Sequence, residues 1–327
     1  MSTMALKEKY QRSLIKLGNS IAITFPQEWT KGADLKEKSE ITLYPIDEKS
    51  LLVRSSEKEN EKVRRIYHMD GIKKPLRLIR QAILSAFKLN VDEIHLKYNN
   101  KIKEEIYELL IDLRREIIGI DFKDVPEYNE FHINFLISIS RAPRFHEVIE
   151  DLVSVFSAIF QNILTGNLNK TSNLLLEEID RKYSLGTRIL ITGLSEYPLS
   201  QYQLPIIRFL GDRVILLYIR DFINETLINF QDAEQSVIDI YSDLLKKIPK
   251  LLENLIDNYK NNDINIETLS DFQEKLIGLE EQLQSIESTV DHKTCNVRNV
   301  IKYYLRGFQV FLDIATTRMI ERKVGLV

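Results

Sequence analysis

The chain is poor in cysteine and in long apolar runs, and each shortage excludes a class of protein. Cys295 is the single cysteine, which excludes an intramolecular disulfide and is typical of a reducing compartment. The best apolar run, 206–219, is broken by Arg208, Asp212 and Arg213. It therefore falls short of the roughly 20 apolar residues that a membrane-spanning helix needs. No signal-peptide pattern opens the sequence, so we expect a cytoplasmic protein without membrane insertion.

Enzyme signatures are missing as well. The sequence contains no glycine-rich phosphate loop, no Gly-x-Ser-x-Gly motif and no paired metal-binding histidine motif. We therefore predict that the protein is not an enzyme and needs no cofactor. Its five histidines fall on different predicted elements, where each is expected to be a surface or hydrogen-bonded histidine: His68, His95, His132, His146 and His292.

Charge is distributed unevenly along the 327 residues, a length that predicts two or three domains. Residues 1–80 carry 17 Lys and Arg against 11 Asp and Glu, a net charge of +6. The remaining 247 residues carry 28 against 37, a net charge of −9. A basic head on an acidic body favours an approach to polyanions, although ordinary scatter of charge is the alternative.

The head predicts two β-hairpins with one helical turn, 27–30, between them. Gly18-Asn19-Ser20 has the composition of a tight turn, in which glycine supplies the positive φ. Strands this short cannot enclose a core alone, so we predict an obligate homodimer through the hairpins, with cover from the following domain as the alternative. The predicted strands are Leu14–Leu17, Ile21–Phe25, Ile41–Tyr44 and Leu51–Val53.

Beyond the head, strands and helices alternate up to about residue 140, which predicts a small α/β domain. Six helices are predicted after it, in two groups of three that suggest a tandem duplication. The fifth, 267–290, has apolar residues spaced alternately by three and four, as in a helical bundle. The fold class is therefore multidomain α+β, ending in a six-helix bundle of two three-helix repeats.

Residues 16–29 read Lys-Leu-Gly-Asn-Ser-Ile-Ala-Ile-Thr-Phe-Pro-Gln-Glu-Trp and are followed by Leu43 and the strand 50–53. In these residues the head resembles a SpoVT/AbrB-type DNA-binding domain. The resemblance implies a swapped-hairpin β-barrel formed by two chains, and a role in transcription regulation. Two departures affect the DNA contacts: Lys38-Ser39-Glu40 replaces a frequent glycine, and Gln27 stands where relatives often have a basic residue.

The helical region combines the two-repeat pattern with an acidic segment, Leu174-Leu175-Leu176-Glu177-Glu178-Ile179-Asp180-Arg181. In these features it is similar to PhoU, the phosphate-uptake regulator family, and the domain order resembles a group of archaeal regulators. The resemblance implies phosphate-linked control, with a phosphate transporter or signalling protein as a further candidate partner. The expected domains are 1–56 (DNA-binding), 60–140 (small α/β) and 143–327 (PhoU-like, with repeats at about 143–230 and 231–327).

The candidate DNA contacts are cations and small polar groups of the head, because phosphates are neutralised by Lys and Arg and accept hydrogen bonds from small donors. A two-fold dimer doubles each of them, and ordinary solvated lysines are the alternative. The candidate residues are Lys9, Arg12, Lys16, Asn19, Ser20 and Lys31.

A metal site is not expected in the bundle. The resemblance to PhoU implies a Glu/Asp-x-x-x-Asp motif on the third helix of each repeat, and the matching segments are 208–212 and 309–313. Asp212 and Asp313 keep the second carboxylate, but Arg208 and Gln309 replace the first. We therefore expect ion pairs or polar contacts for the two aspartates, with Arg208 and Arg213 as partners for Asp212.

The sequence thus favours a DNA-binding transcription regulator whose helical domain is a sensor or partner-binding module. A signalling accessory protein, with the head used only for dimerisation, is the first alternative. An antitoxin-like partner is the second, although a long helical bundle differs from the usual short toxin-binding tail.

Overall fold

A computed structural model of the chain describes residues 10–45, 49–55, 64–137, 142–168, 172–195, 208–260, 264–287 and 295–324. The fold is mixed α+β and mainly helical. Its contacts divide the chain into two compact units, residues 1–63 and residues 64–327.

The first unit contains the two predicted hairpins. Gly18 supplies a φ of +61° in the first turn, as expected from the turn composition, and Pro26 directly precedes the short helix. Within the described residues of this unit the two hairpins form separate two-stranded sheets, and no sheet closes into a barrel in the single chain. The elements are β1 (Ile15–Leu17) paired with β2 (Ser20–Ala22), helix α1 (Gln27–Gly32), and β3 (Ile41–Pro45) paired with β4 (Leu51–Ser55).

The second unit begins with a four-stranded sheet and two helices. Its elements are β5 (Ile66–Asp70), α2 (Leu76–Lys88), β6 (Glu93–Lys97), α3 (Lys103–Glu116), β7 (Ile120–Val125) and β8 (Glu130–Phe135). The strand order is β5-β6-β8-β7. Strands β5 and β6 are parallel, with α2 as their crossover, and the other pairs are antiparallel. The predicted strand at 117–122 begins three residues later, because Ile117 ends α3 instead.

The two faces of this sheet differ, since successive side chains of a strand point to opposite sides. The buried face packs against α2 and α3 in one apolar cluster, which includes Ile94, Leu96, Phe131 and Ile133 of the sheet. The opposite face carries polar and charged side chains. On β6 these are Glu93, His95 and Lys97, which alternate with the apolar residues.

Within the described residues, six helices follow. Gly166, with a φ of +69°, ends the first of them, and reciprocal hydrogen bonds between Asn265 and Thr268 cap the start of the fifth. The helices are α4 (Phe145–Leu164), α5 (Ser172–Ser195), α6 (Arg208–Phe230), α7 (Gln235–Lys260), α8 (Ile266–Glu287) and α9 (Cys295–Lys323).

The helices pack in a regular scheme. Helix α4 contacts α5 and α6, while α8 and α9 contact each other and α7. Helix α4 also contacts α7, and α6 also contacts α9. Aromatic side chains fill the centre, where Phe222 lies against Tyr304 and Phe308. None of the described helices is both long enough and apolar enough to cross a membrane.

Candidate functional site

The candidate DNA contacts lie on exposed positions of the first unit, apart from Lys9, which is outside the described residues. Lys16 lies on β1, directly opposite Ile21 of β2. Asn19 lies in the turn and Ser20 begins β2. Arg12 precedes β1, with its guanidinium 6.0 Å from the ring centroid of Tyr10, and Lys31 lies in the last turn of α1. The structure thus brings Lys16, Asn19 and Ser20 onto one hairpin, while Arg12 and Lys31 lie on neighbouring segments.

These cations are available for an external anion. Arg12, Lys16 and Lys31 are exposed, and none of them forms an ion pair with another described residue. Lys36 differs from them, because its ammonium lies 3.8 Å from the Asp34 carboxylate.

The described residues of the first unit form no buried core in a single chain. None of its described residues is buried. Seven large apolar side chains of its strands and their flanks are 47% to 69% exposed: Leu14, Ile15, Leu17, Ile21, Ile23, Leu43 and Leu51. So many exposed apolar side chains must be buried by another surface, because their burial is needed to offset the conformational entropy lost on folding.

The two aspartates of the bundle lie in different surroundings. Asp212 is buried between helices, where Arg318 and the Tyr259 hydroxyl donate hydrogen bonds to its carboxylate. The ion pair expected for Asp212 is therefore present, but its direct partner is Arg318 of α9. Arg213 of the same helix is exposed, and Arg208 contributes positive charge nearby. The sequence predicted a partner on the same helix as Asp212. The actual partner, Arg318, is 106 residues away in the sequence, on a helix that packs against it.

Asp313 is exposed and lies 3.5 Å from the amide nitrogen of Gln309. Among the described residues, neither Asp212 nor Asp313 belongs to a group of three possible metal ligands. The acidic stretch in α5 is partly paired as well, since Arg220 donates to Asp180 at 2.8 Å.

A row of histidines crosses the polar face of the four-stranded sheet. His68, His95 and His132 occupy partner positions on the adjacent strands β5, β6 and β8. The rings of His95 and His132 stack, with 3.8 Å between centroids and 6° between planes. The ring of His68 lies edge-on to that of His95, at 4.8 Å. The three histidines lie on different elements, as expected, and the strand register brings them together.

Two carboxylates flank the stacked rings. Oε1 of Glu93 lies 3.2 Å from Nε2 of His95 and 3.6 Å from Nδ1 of His132. Oε2 of Glu130 lies 3.3 Å from Nε2 of His132 and 3.9 Å from Nδ1 of His95. One ligand atom from each of Glu93, His95 and His132 lies within 4.8 Å of the others. We call this set, with Glu130, the histidine cluster.

The sequence contains one signal for the histidine cluster. Glu93-Ile94-His95 and Glu130-Phe131-His132 repeat the same Glu-apolar-His order, which places Glu and His on one face of each strand. Strand order and register cannot be deduced from this repeat. For that reason the motif is visible in the sequence but the site is not.

A polar cavity of about 560 Å³ lies between α6 and α9. Asp221 and Glu225, one helical turn apart, line it together with Asn224 and Tyr303. Burial raises the pKa of Asp221. No lysine or arginine is among its lining residues in the described part of the chain, so its chemistry suits a cation or a neutral polar ligand better than an anion.

Comparisons with protein-family models, with curated proteins and with solved structures find no match to this chain. The function is therefore argued from its residues and their geometry.

Proposed function

We propose that the protein is a dimeric DNA-binding transcription regulator, whose head binds DNA and whose helical domain is a sensor or partner-binding module. The observation that carries this proposal is the head itself, in which exposed apolar strands lie in the same short segment as the exposed cations Arg12, Lys16 and Lys31. Its residues also resemble a SpoVT/AbrB-type domain, in which two chains share one barrel.

Dimerisation is the first step of the argument. A second copy would cover the exposed side chains of β1 to β4 and satisfy the open edges of both two-stranded sheets. Ile21 is 69% exposed in the single chain, so Ile21→Asp is expected to convert the dimer to a monomer. Light scattering of the full chain measures this, with Leu78→Asp, at a 48% exposed position on α2, as the control. A monomeric wild-type chain would contradict the proposal.

DNA binding is the second step. In a two-fold dimer, Arg12, Lys16 and Lys31 provide six cations, and each phosphate that they neutralise adds about −0.9 to the slope of log K against log salt. The two departures from the family pattern, at Gln27 and at 38–40, fall near these residues. The contacts of this head are therefore proposed from its own cations and not transferred from relatives.

The test is fluorescence anisotropy of the full chain with sheared genomic DNA at several salt concentrations. We expect salt-dependent binding that is weakened by the pair Arg12→Ala and Lys16→Ala. The control pair Lys246→Ala and Lys247→Ala removes the same charge from exposed positions on α7 and should bind like wild type. Failure of the wild type to bind at low salt removes the DNA proposal, even if the chain is a dimer.

A link to phosphate uptake is part of the proposal, because the helical region is similar to PhoU. The acidic cavity between α6 and α9 suits free phosphate poorly, since Asp221 and Glu225 would repel it. We therefore place the phosphate link in contacts with a transporter or signalling protein.

The alternative, an accessory protein that acts only through protein contacts, is favoured by apolar side chains on the outside of the bundle. Leu210 is 75% exposed on α6, and Ile320 and Val324 are 50% and 61% exposed at the end of α9. Exposed apolar patches often mark interaction sites. A dimer that fails to bind DNA at any salt concentration would favour this alternative.

A further inference from the structure

We infer that Glu93, His95 and His132 bind one divalent transition-metal ion, zinc or a metal of similar ligand preference, on the polar face of the sheet. This inference does not depend on DNA binding by the head. It concerns three side chains on the adjacent strands β6 and β8, whose register places His95 opposite His132.

The distances fit a metal. Ligand atoms about 2.0–2.1 Å from a tetrahedral zinc ion are about 3.3 Å from one another. The Glu93 oxygen is already 3.2 Å from one imidazole nitrogen and 3.6 Å from the other. The separation of the two imidazole nitrogens is no more than 4.8 Å. Because the two rings are stacked and nearly parallel, both must rotate out of the stack to direct their nitrogens at one ion.

The surrounding groups orient these ligands as the outer groups of metal sites do. A histidine that binds a metal usually donates its other ring N–H to a carboxylate. Glu130 supplies such a carboxylate on the far side of the rings, 3.3 Å from Nε2 of His132. Arg64 holds the second oxygen of Glu93 at 3.1 Å, which leaves Oε1 for the metal. Glu130 and Arg64 are thus positioning residues.

The donor set decides which metals fit. Two imidazoles and one carboxylate suit zinc and its neighbours, whereas magnesium and calcium prefer sets of oxygen ligands. The side chains of His95 and His132 are 18% and 25% exposed, so an ion can reach them from solvent. Three protein ligands leave a fourth position for water or for a group of another molecule.

The competing explanation is a network of histidines and carboxylates that needs no metal. The experiment that separates the two is isothermal titration of the untagged, chelator-treated full chain with zinc chloride, repeated with cobalt(II) to record the visible absorption of the bound ion. We expect one ion per chain and no competition by magnesium. Glu130→Gln should weaken binding by about 10- to 100-fold without changing the stoichiometry, and His95→Gln and His132→Gln should weaken it more.

His146→Gln is the matched control, because His146 lies on α4, outside the histidine cluster, and its loss should leave zinc binding unchanged. Circular dichroism checks the fold of each variant; if one histidine variant does not fold, the other decides. The inference is overturned if the wild type takes up no zinc, or if both histidine variants bind zinc as the wild type does.

Discussion

Arg188 of α5 donates a hydrogen bond from Nη1 to the carbonyl oxygen of Phe87, at 2.6 Å. Phe87 lies in the last turn of α2, where carbonyl groups have no partner within the helix and the helix dipole is negative. The guanidinium also lies 4.8 Å from the centre of the Phe87 ring. Burial lowers the pKa of Arg188 to about 10, so it stays charged at neutral pH. Through this contact α5 stabilises the packing of the sheet layer on the bundle.

Arg188→Met should destabilise the second unit by about 1.5–3 kcal/mol, the range for a hydrogen bond to a charged group. The methionine keeps much of the packing but removes the charged donor, which leaves the Phe87 carbonyl with the backbone N–H of Asn90 alone. Urea unfolding measures the change in free energy. Arg181→Met is the control, because Arg181 donates to the Arg115 carbonyl from a more exposed position and should cost less. Equal losses in the two variants would contradict the role given to burial.

Arg318→Met should cost about 3–5 kcal/mol, since it leaves the buried carboxylate of Asp212 without its charged partner. Adding Asp212→Asn to Arg318→Met should recover a large part of the loss, because the orphaned charge is then removed. Unfolding of the two single variants and the double variant forms a complete cycle. Additive losses would mean that the two side chains are not coupled in the folded chain.

Gly307 of α9 is a position of close helix approach. A Cβ there would fall on the ring of Phe222 of α6, so Gly307→Ala should destabilise the chain by about 1–3 kcal/mol through overpacking. Gly278 of α8 is the matched control, because a Cβ there meets nothing within 4 Å. Gly278→Ala should instead stabilise the chain by up to about 1 kcal/mol. Thermal unfolding of both variants shows whether the two changes in stability have opposite signs.

Stability should fall at alkaline pH because two tyrosines lose protons less readily in the folded chain. Burial raises the pKa of Tyr303 to about 12, and it raises that of Tyr304 further. Unfolded tyrosines ionise near pH 10, so the stabilisation is complete below pH 10 and is lost as the pH rises through the folded values. Urea unfolding at pH 8 and at about pH 11 measures this loss. Tyr304→Phe should reduce it, whereas Tyr128→Phe, at a 66% exposed position, should leave it unchanged.

Local structure was largely predictable. The turn at Gly18 and the seam of α8 follow from conformational preference and hydrophobic spacing, and the structure confirms both of them. The strand β7 was misplaced by three residues because Ile117 and Ile118 suit either a strand or the end of a helix.

The candidate sites also contain residues that could be predicted from the sequence and residues that could not. Exposed cations in the head could be predicted, because such short strands cannot bury a lysine or arginine, and its charge therefore stays in water. The partner of Asp212 and the meeting of His95 with His132 could not be, since both depend on which elements pack together.

The sequence by itself thus determined most of the helices and strands, which of their faces are apolar, and that the short strands of the head expose apolar side chains in one chain. Those properties depend on residue types and their spacing over a few positions, which can be seen directly in the sequence. Only the tertiary structure decided that Glu93, His95 and His132 converge and that Arg318 reaches Asp212. Strand register and helix packing depend on the sum of many weak contacts between distant segments, which no local pattern records.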